Sequence, residues 1–281
     1  MNYQPYIDQL ISLAIAEDIG DGDHTSLSCI SPDALGKMKL LVKQDGVIAG
    51  IAIARQIFHR IDADLQVEQR INDGAKVAVG DIAFYVSGKE LSLLQAERLV
   101  LNVMQRMSGI ATQTAVYAKE LEGLKTRVLD TRKTTPGMRA LDKLAVALGG
   151  GGNHRMGLFD MILLKDNHID FAGGVEAAIR KAQDYLQRTG RRLAIEVEAR
   201  SLDDVRSIMR VGGVQRIMLD NFDIPTTKDA VALINGQYEI ESSGGITLEN
   251  LRAYAECGVD FISVGALTHQ IKSLDLSLKA C

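Results

Sequence analysis

From Lys125 onward the chain alternates short apolar strands with helical patterns, and this alternation restricts the fold more than any other feature. Candidate strands are Arg127–Asp130, Met161–Leu164, Leu193–Val197, Arg216–Leu219, Tyr238–Glu241 and Phe261–Val264. Between them, Val175–Arg188, Leu202–Val211 and Leu248–Glu256 carry apolar residues at helical spacing. Near-continuous apolar strands separated by helices predict a parallel sheet covered on its faces. Polar residues close every strand: Thr131-Arg132-Lys133, Lys165-Asp166-Asn167, Glu198, Asp220-Asn221, Ser243-Gly244-Gly245 and Gly265-Ala266. Any one such end can simply reach solvent. Six in series, with both charge signs, predict a site at the carboxyl face of an α/β barrel.

The first hundred residues follow a different pattern. Pro5 to Ile19 places Ile7, Leu10, Ile11, Ala14 and Ile15 on one helical face, and Asp18-Ile-Gly-Asp-Gly-Asp-His-Thr-Ser26 then breaks it with turn residues. Short β-like stretches follow at Met38–Val42, Val47–Ile51, Leu65–Ile71 and Ile82–Val86, separated by Asp45-Gly46, Asp73-Gly74 and Gly80-Asp81. A long helix is expected from Glu90 to Leu121, with a break near Ser108-Gly109. This half is expected to be an α/β sandwich built on an antiparallel sheet. The expected domains are 1–110 for the sandwich, 111–270 for the barrel, and a tail at 271–281 that packs back on the sandwich.

Charge and cysteine usage narrow the function classes. Lys and Arg number 32 against 36 Asp and Glu, a formal charge of −4, which disfavours a broadly basic nucleic-acid binder. Cys29, Cys257 and Cys281 are too few and too scattered for a disulfide framework or a zinc site. No apolar run approaches the roughly 20 residues that span a bilayer. The first Lys or Arg is Lys37, so a secretory signal lacks its basic region and a cytoplasmic protein is expected. The Asp18, Asp21 and Asp23 group lacks the remainder of a calcium loop and reads as turn chemistry.

Several clusters carry chemistry. Ser242-Ser-Gly-Gly-Ile246 and Val264-Gly-Ala-Leu-Thr268 each follow a strand near the C-terminus, the usual place for a barrel's phosphate site. Gly149-Gly-Gly-Gly152-Asn-His-Arg155 is a flexible loop ending in two possible anion contacts; it is not a P-loop, because no Gly-Lys-Ser/Thr follows. Arg132, Lys133 and Lys165 supply fixed positive charge, Arg as a two-pronged carboxylate grip and Lys as a point charge. Glu198 and Asp220, at neighbouring strand ends, can meet Mg²⁺ through oxygen or offset a developing cation.

Taken together, Asp130-Thr-Arg-Lys-Thr-Thr-Pro-Gly137, Gly150-Gly-Gly-Asn-His-Arg155, Leu164-Lys-Asp-Asn-His168 and Glu196-Val-Glu198 resemble the quinolinate phosphoribosyltransferase family. So do Leu219-Asp-Asn-Phe222, Glu241-Ser-Ser-Gly-Gly-Ile246 and Val264-Gly-Ala-Leu-Thr-His269, with Glu17–Ser26, Glu97-Arg98 and Ser108-Gly-Ile-Ala-Thr112 upstream. The resemblance implies an N-terminal sandwich and an open α/β barrel of fewer than eight strands. It implies a homodimer, or a larger assembly such as a hexamer, in which each site borrows the neighbour's sandwich. The implied reaction joins quinolinate to phosphoribosyl pyrophosphate (PRPP) with Mg²⁺, giving nicotinate mononucleotide, pyrophosphate and CO2 in NAD biosynthesis.

Roles carry over motif by motif. Arg132 and Arg155, with Thr131 beside them and Arg98 from the partner subunit, would grip the quinolinate carboxylates. Lys133 and Lys165 would neutralise substrate charge, His154 assisting, and Lys133, Glu198 and Asp220 would be catalytic. Glu198 and Asp220 would hold the ribose and the metal–pyrophosphate side, meeting Mg²⁺ through PRPP oxygens. Ser243, Gly244, Gly245, Val264, Gly265 and Ala266 would cradle the 5′-phosphate, His269 close behind. Other classes remain open on the residues alone: a related transferase of the same fold such as the molybdenum-transport-associated homologues, an isomerase or aldolase using Lys165 as a Schiff base, or a non-catalytic phosphate binder.

Overall fold

A computed structural model describes residues 2–281. They divide into two compact units: residues up to Ala115 with Thr134–Gly150 and Leu267–Cys281, and Val116–Lys133 with Gly151–Ala266. A boundary at 110/111 would give Thr134–Gly150 to the barrel, but its helix is counted with the first unit.

The first unit contains α1 (Gln4–Ile19), α2 (His24–Cys29), β1 (Leu35–Val42), β2 (Gly46–Val47), α3 (Ile51–Ile61), β3 (Gln66–Gln69), β4 (Lys76–Val77) and β5 (Ile82–Lys89). It also holds most of α4 (Glu90–Glu120). β3 pairs antiparallel with β5, β5 with β1, and β1 with the closing strand of the chain, Leu276–Ala280, giving a four-stranded sheet. Leu40, Val42, Phe84 and Val86 are wholly buried in it, and Phe58 of α3 meets Phe84 edge-on at 5.9 Å.

Two sequence expectations fail here for visible reasons. Val47–Ile51 is not one strand: the chain turns at Gly50, whose φ is +100°, and Ile51 begins α3. Asp73 accepts the Ile51 and Ala52 N–H groups at 2.9 and 3.0 Å, supplying a cap that lies 22 residues downstream. Nor does α4 break at Ser108-Gly109. Ser108 Oγ accepts the Ala49 N–H at 2.9 Å, and a Cβ on Gly109 would lie 2.3 Å from the Lys272 carbonyl. These small residues permit close packing and do not end the helix.

The remaining elements are β6 (Arg127–Leu129), α5 (Arg139–Leu148), β7 (Ile162–Leu164), α6 (Asp166–Ala172), α7 (Val175–Thr189), β8 (Ile195–Ala199), α8 (Leu202–Val211), β9 (Arg216–Asp220), α9 (Ile224–Ile234), β10 (Glu239–Ser243), α10 (Leu248–Ala255), β11 (Phe261–Ser263), α11 (Ala266–His269) and β12 (Leu276–Ala280). In the second unit all six strands run parallel in the order β6-β11-β10-β9-β8-β7. β6 and β7, consecutive in sequence, form the two edges, as an open barrel with fewer than eight strands requires. Strand alternation puts Glu196 and Glu198, Met218 and Asp220, and Glu241 and Ser243 on common faces. Among the described residues no helix is long and apolar enough to cross a membrane.

Candidate active site

A cavity of about 440 Å³ opens at the carboxyl ends of five of the six strands, β8 giving none of its lining residues. Thr131, Arg132 and Lys133 line it after β6, Lys165 after β7, and Asp220 and Asn221 at the end of β9. Ser243, Gly244 and Gly245 follow from β10 and Ser263 from β11, with His154 and Arg155 from the glycine-rich loop. Glu198 stands at the end of β8, 4% exposed.

Asp130 fixes the loop to the sheet. Wholly buried at the end of β6, it accepts Asn153 Nδ2 and the His154 N–H, both at 2.8 Å. Gly152 meanwhile exchanges backbone hydrogen bonds with Val128 and Asp130, and a Cβ there would lie 2.6 Å from Leu129. The loop therefore extends the open edge of the barrel and delivers His154 and Arg155 into the cavity.

The cationic wall is crowded. Arg155 is 9% exposed and donates through Nη1 to the Met161 carbonyl at 3.2 Å. Burial and the Arg132 charge hold its guanidinium below the ordinary arginine value. Glu196 and Asp160 act in the opposite sense, and an anion between the two guanidiniums would add to their effect.

The opposite side carries carboxylates. Glu198 Oε2 lies 3.1 Å from Lys165 Nζ, and its Oε1 accepts the Asp166 N–H at 3.3 Å. Asp220 accepts Asn221 Nδ2 at 2.7 Å. Asn221 itself is left-handed (φ +55°), and its N–H donates to the Ser243 carbonyl at 2.9 Å. Gly244 has φ +91°, and a Cβ on it would stand 2.2 Å from Asn221 Oδ1. Only glycine fits there, which leaves the backbone bare toward the cavity.

A buried ionic layer, which meets the cavity at His154 and Glu241, backs the cationic wall. His154 Nε2 is 3.0 Å from Glu196 Oε2 and 3.4 Å from Glu241 Oε2, and both carboxylates are wholly buried. Burial opposes an imidazolium, but hydrogen bonds and charge from Glu196 and Glu241 outweigh it and push His154 up to about 9. Burial and the Glu241 charge raise Glu196, whereas for Glu241 the effect of burial is outweighed by His154 and Arg216, which lower it. His154 Nδ1 accepts the Arg155 N–H at 2.7 Å and so stays unprotonated. Nε2 then carries the one proton of a neutral ring, and the additional proton held in this layer belongs to the His154–Glu196–Glu241 cluster as a whole. His154 thus turns both nitrogens to the protein; it shapes the cavity wall and supports Arg155.

Not every expected residue lines this cavity. Arg98, on α4, lines a separate hollow of about 340 Å³ in the first unit with Asp18, Asp23, His24 and Thr25. Val264, Gly265 and Ala266 stand at the turn from β11 into α11, and the Val264 N–H donates to the Leu129 carbonyl at 2.9 Å. His269 ends α11 and is counted with the first unit. The residues to which sequence reasoning gave no role are Glu196, Glu241, Arg216 and Ser263, while Asn221 was named only as a polar strand end. A signal existed for two of them: Glu196 and Glu241 are carboxylates inside strands, flanked by buried residues.

Residues 110–279 match the family model described as quinolinate phosphoribosyl transferase, C-terminal domain, and residues 23–108 match that for its N-terminal domain. The chain belongs to the quinolinate phosphoribosyltransferase family. Among its relatives, quinolinate phosphoribosyltransferase (decarboxylating) 1b of Nicotiana tabacum is 46% identical over 285 residues, covering 96% of this chain and 81% of that one. The chloroplastic nicotinate-nucleotide pyrophosphorylase (carboxylating) of Arabidopsis thaliana is 45% identical with the same coverage. The crystal structure of NadC from Streptococcus pyogenes superposes with a TM-score of 0.93 at 36% identity, covering 100% of this chain and 99% of that one. For a quinolinate phosphoribosyltransferase, the division of the cavity into an arginine-rich wall and a glycine-lined cradle matches two anionic substrates of different shape.

Proposed function

We propose that this chain transfers the phosphoribosyl group of PRPP to quinolinate and releases CO2, forming nicotinate mononucleotide and pyrophosphate. The observation that carries this reading is the pair of mutually repelling guanidiniums, Arg132 and Arg155, facing a bare glycine cradle across one cavity. A planar dicarboxylate satisfies both arginines at once. Gly244 and Gly245, just ahead of α10, offer backbone N–H groups to the 5′-phosphate.

The chemistry then follows from placement. The C1–pyrophosphate bond lengthens and leaves positive charge on the ribose, as at a glycosidic centre. Glu198 and Asp220 would offset that charge, and Lys133 and Lys165 would neutralise the anions on either side. The pyridine nitrogen bonds to C1 and becomes quaternary. The adjacent C2–carboxylate bond then breaks, its electron pair staying on C2 beside the positive nitrogen, and C2 takes up a proton. Holding two anions together is most of the work, and aligned cations supply it.

Mg²⁺ enters this reading as the counter-ion of PRPP. The donor set fits such an ion: Glu198 and Asp220 are carboxylates at adjacent strand ends, and Mg²⁺ prefers one or two carboxylates plus phosphate oxygens and water. When bound, the ion would draw charge from the departing pyrophosphate. The buried His154–Glu196–Glu241 group fits it poorly, because Arg216 already occupies Glu241 Oε2 at 3.0 Å. We further read the working form as a homodimer in which Arg98 of one subunit completes the other's site. Support comes from its place on α4 in a hollow with Asp23 and His24, distinct from the barrel cavity.

Supplying the purified protein with PRPP, Mg²⁺ and either quinolinate or nicotinate tests the assignment. Product from quinolinate alone is expected; product from nicotinate alone overturns it.

A further inference from the structure

We propose that Arg216 is a positioning residue: through Glu241 and Glu196 it braces the His154–Arg155 wall and so sets affinity for the aromatic dicarboxylate. The proposal rests on the reading of the cavity as a quinolinate site. Arg216 opens β9, and its neighbours in register are Glu196 on β8 and Glu239 on β10. Its Nε and Nη2 donate to Glu239 Oε2 at 3.2 and 3.0 Å, and its Nη1 donates to Glu241 Oε2 at 3.0 Å. The guanidinium also lies 4.1 Å from the Phe261 ring centroid. One side chain therefore ties β9, β10 and β11 together below the cavity.

Arg216 does not line the cavity, so any influence on substrate passes through the layer above. Glu241 Oε2 is shared between Arg216 and His154, Glu196 Oε2 faces the same imidazole nitrogen, and His154 Nδ1 holds the Arg155 main chain. The path from barrel interior to substrate grip is continuous: hydrogen bonds at its two ends (Arg216 to Glu241, Arg155 N–H to His154) are joined by close charge contacts in the middle. Charge acts in the same sense. Without Arg216 the two buried carboxylates lose a cationic counterpart, which is costly in a buried layer. Negative charge would then appear beneath the wall that receives two substrate carboxylates. Both effects weaken the dicarboxylate side.

The phosphoribosyl side follows Glu241 on the same strand but is held by contacts of its own. Its loop is held by Asn221 N–H to the Ser243 carbonyl at 2.9 Å and by Asn250 Nδ2 to the Gly245 carbonyl at 3.1 Å. A general loss of fold would weaken both substrates; the column weakens one.

The test is steady-state kinetics on the full chain with each substrate varied, for wild type, Arg216→Met and Arg216→Lys, with thermal melting recorded alongside. Arg216→Met is expected to raise the quinolinate KM by about tenfold, on the order of 1.4 kcal/mol, while the PRPP KM stays within about twofold. Arg216→Lys, which restores the charge without the fork, is expected to recover most of that loss. Equal rises in both KM values, or an unchanged quinolinate KM in folded Arg216→Met, overturn the proposal. Should Arg216→Met fail to fold, Arg216→Gln, which keeps a donor toward Glu241 without the charge, is read the same way. Wild-type turnover with ordinary variant kinetics defeats the column alone. Absent wild-type turnover and absent quinolinate binding defeat the parent reading, and the column with it.

Discussion

Raising the pH from 6 to 9.5 should strip a proton from the buried layer under the active site, and the cost can be worked from the structure. The His154 side chain is 6% exposed and sits against two wholly buried carboxylates. Its proton is held up to about 9, against 6.5 for an ordinary histidine such as the unfolded chain presents. Because the folded value is the higher one, the stabilisation is complete below pH 6.5 and is lost as the pH climbs through 9. At 1.36 kcal/mol for each pH unit of that gap, the loss is about 3 kcal/mol, a large share of the roughly 5–15 kcal/mol that holds a typical domain folded. Urea unfolding at pH 6 and 9.5 measures it. The comparison protein is Glu196→Gln, which removes one of the two carboxylates that hold the proton and leaves Glu241. Groups exposed in both states cancel between the two proteins. Wild type should lose more than the variant over that interval, by up to about 3 kcal/mol; parallel losses would refute the shared-proton cluster.

Three further outcomes follow from the cavity. Gly244→Ala should destabilise by about 1–2 kcal/mol from its left-handed backbone alone, and should raise the PRPP KM more than the quinolinate KM, because the added Cβ drives into Asn221; kinetics and melting together check this. Lys133→Ala, at an exposed position, should lower turnover by about two or more orders of magnitude, as expected when a positioned charge is lost, with melting unchanged; near-normal turnover would reject its role. Mixing inactive Arg98→Ala with inactive Lys133→Ala and allowing subunit exchange should restore partial activity, and heterodimers that stay inactive would count against a shared site.

Much of this molecule could be read from the chain because its second unit obeys two simple periods. All six barrel strands fall within two residues of their expected starts and ends, since apolar runs bounded by Gly and polar residues leave little choice. The polar strand ends that converge in the cavity were visible for the same reason. What escaped reading depends on contacts distant in sequence. α3 begins at Ile51 because Asp73 caps it, and nothing local announces that. Gly109 sits inside α4 because the Lys272 backbone passes close by, a reason absent from any window around residue 109. His154 was expected to assist at the substrate, yet its nitrogens turn to Glu196, Glu241 and the Arg155 N–H. Those two carboxylates stand on β8 and β10, separated by β9 and by about forty residues of chain. Their meeting is a property of the curved parallel sheet, and the only local hint was a charge where an apolar residue would be ordinary.

The central claim is that this cavity joins quinolinate to PRPP and drives off one carboxylate. Quinolinate labelled in its 2-carboxyl group tests it most directly, with CO2, pyrophosphate and nicotinate mononucleotide counted in the same reaction. The account predicts all three in equal amounts, with every released label recovered as CO2. Pyrophosphate and a nucleotide that keeps the label, or no turnover of quinolinate at all, would contradict it.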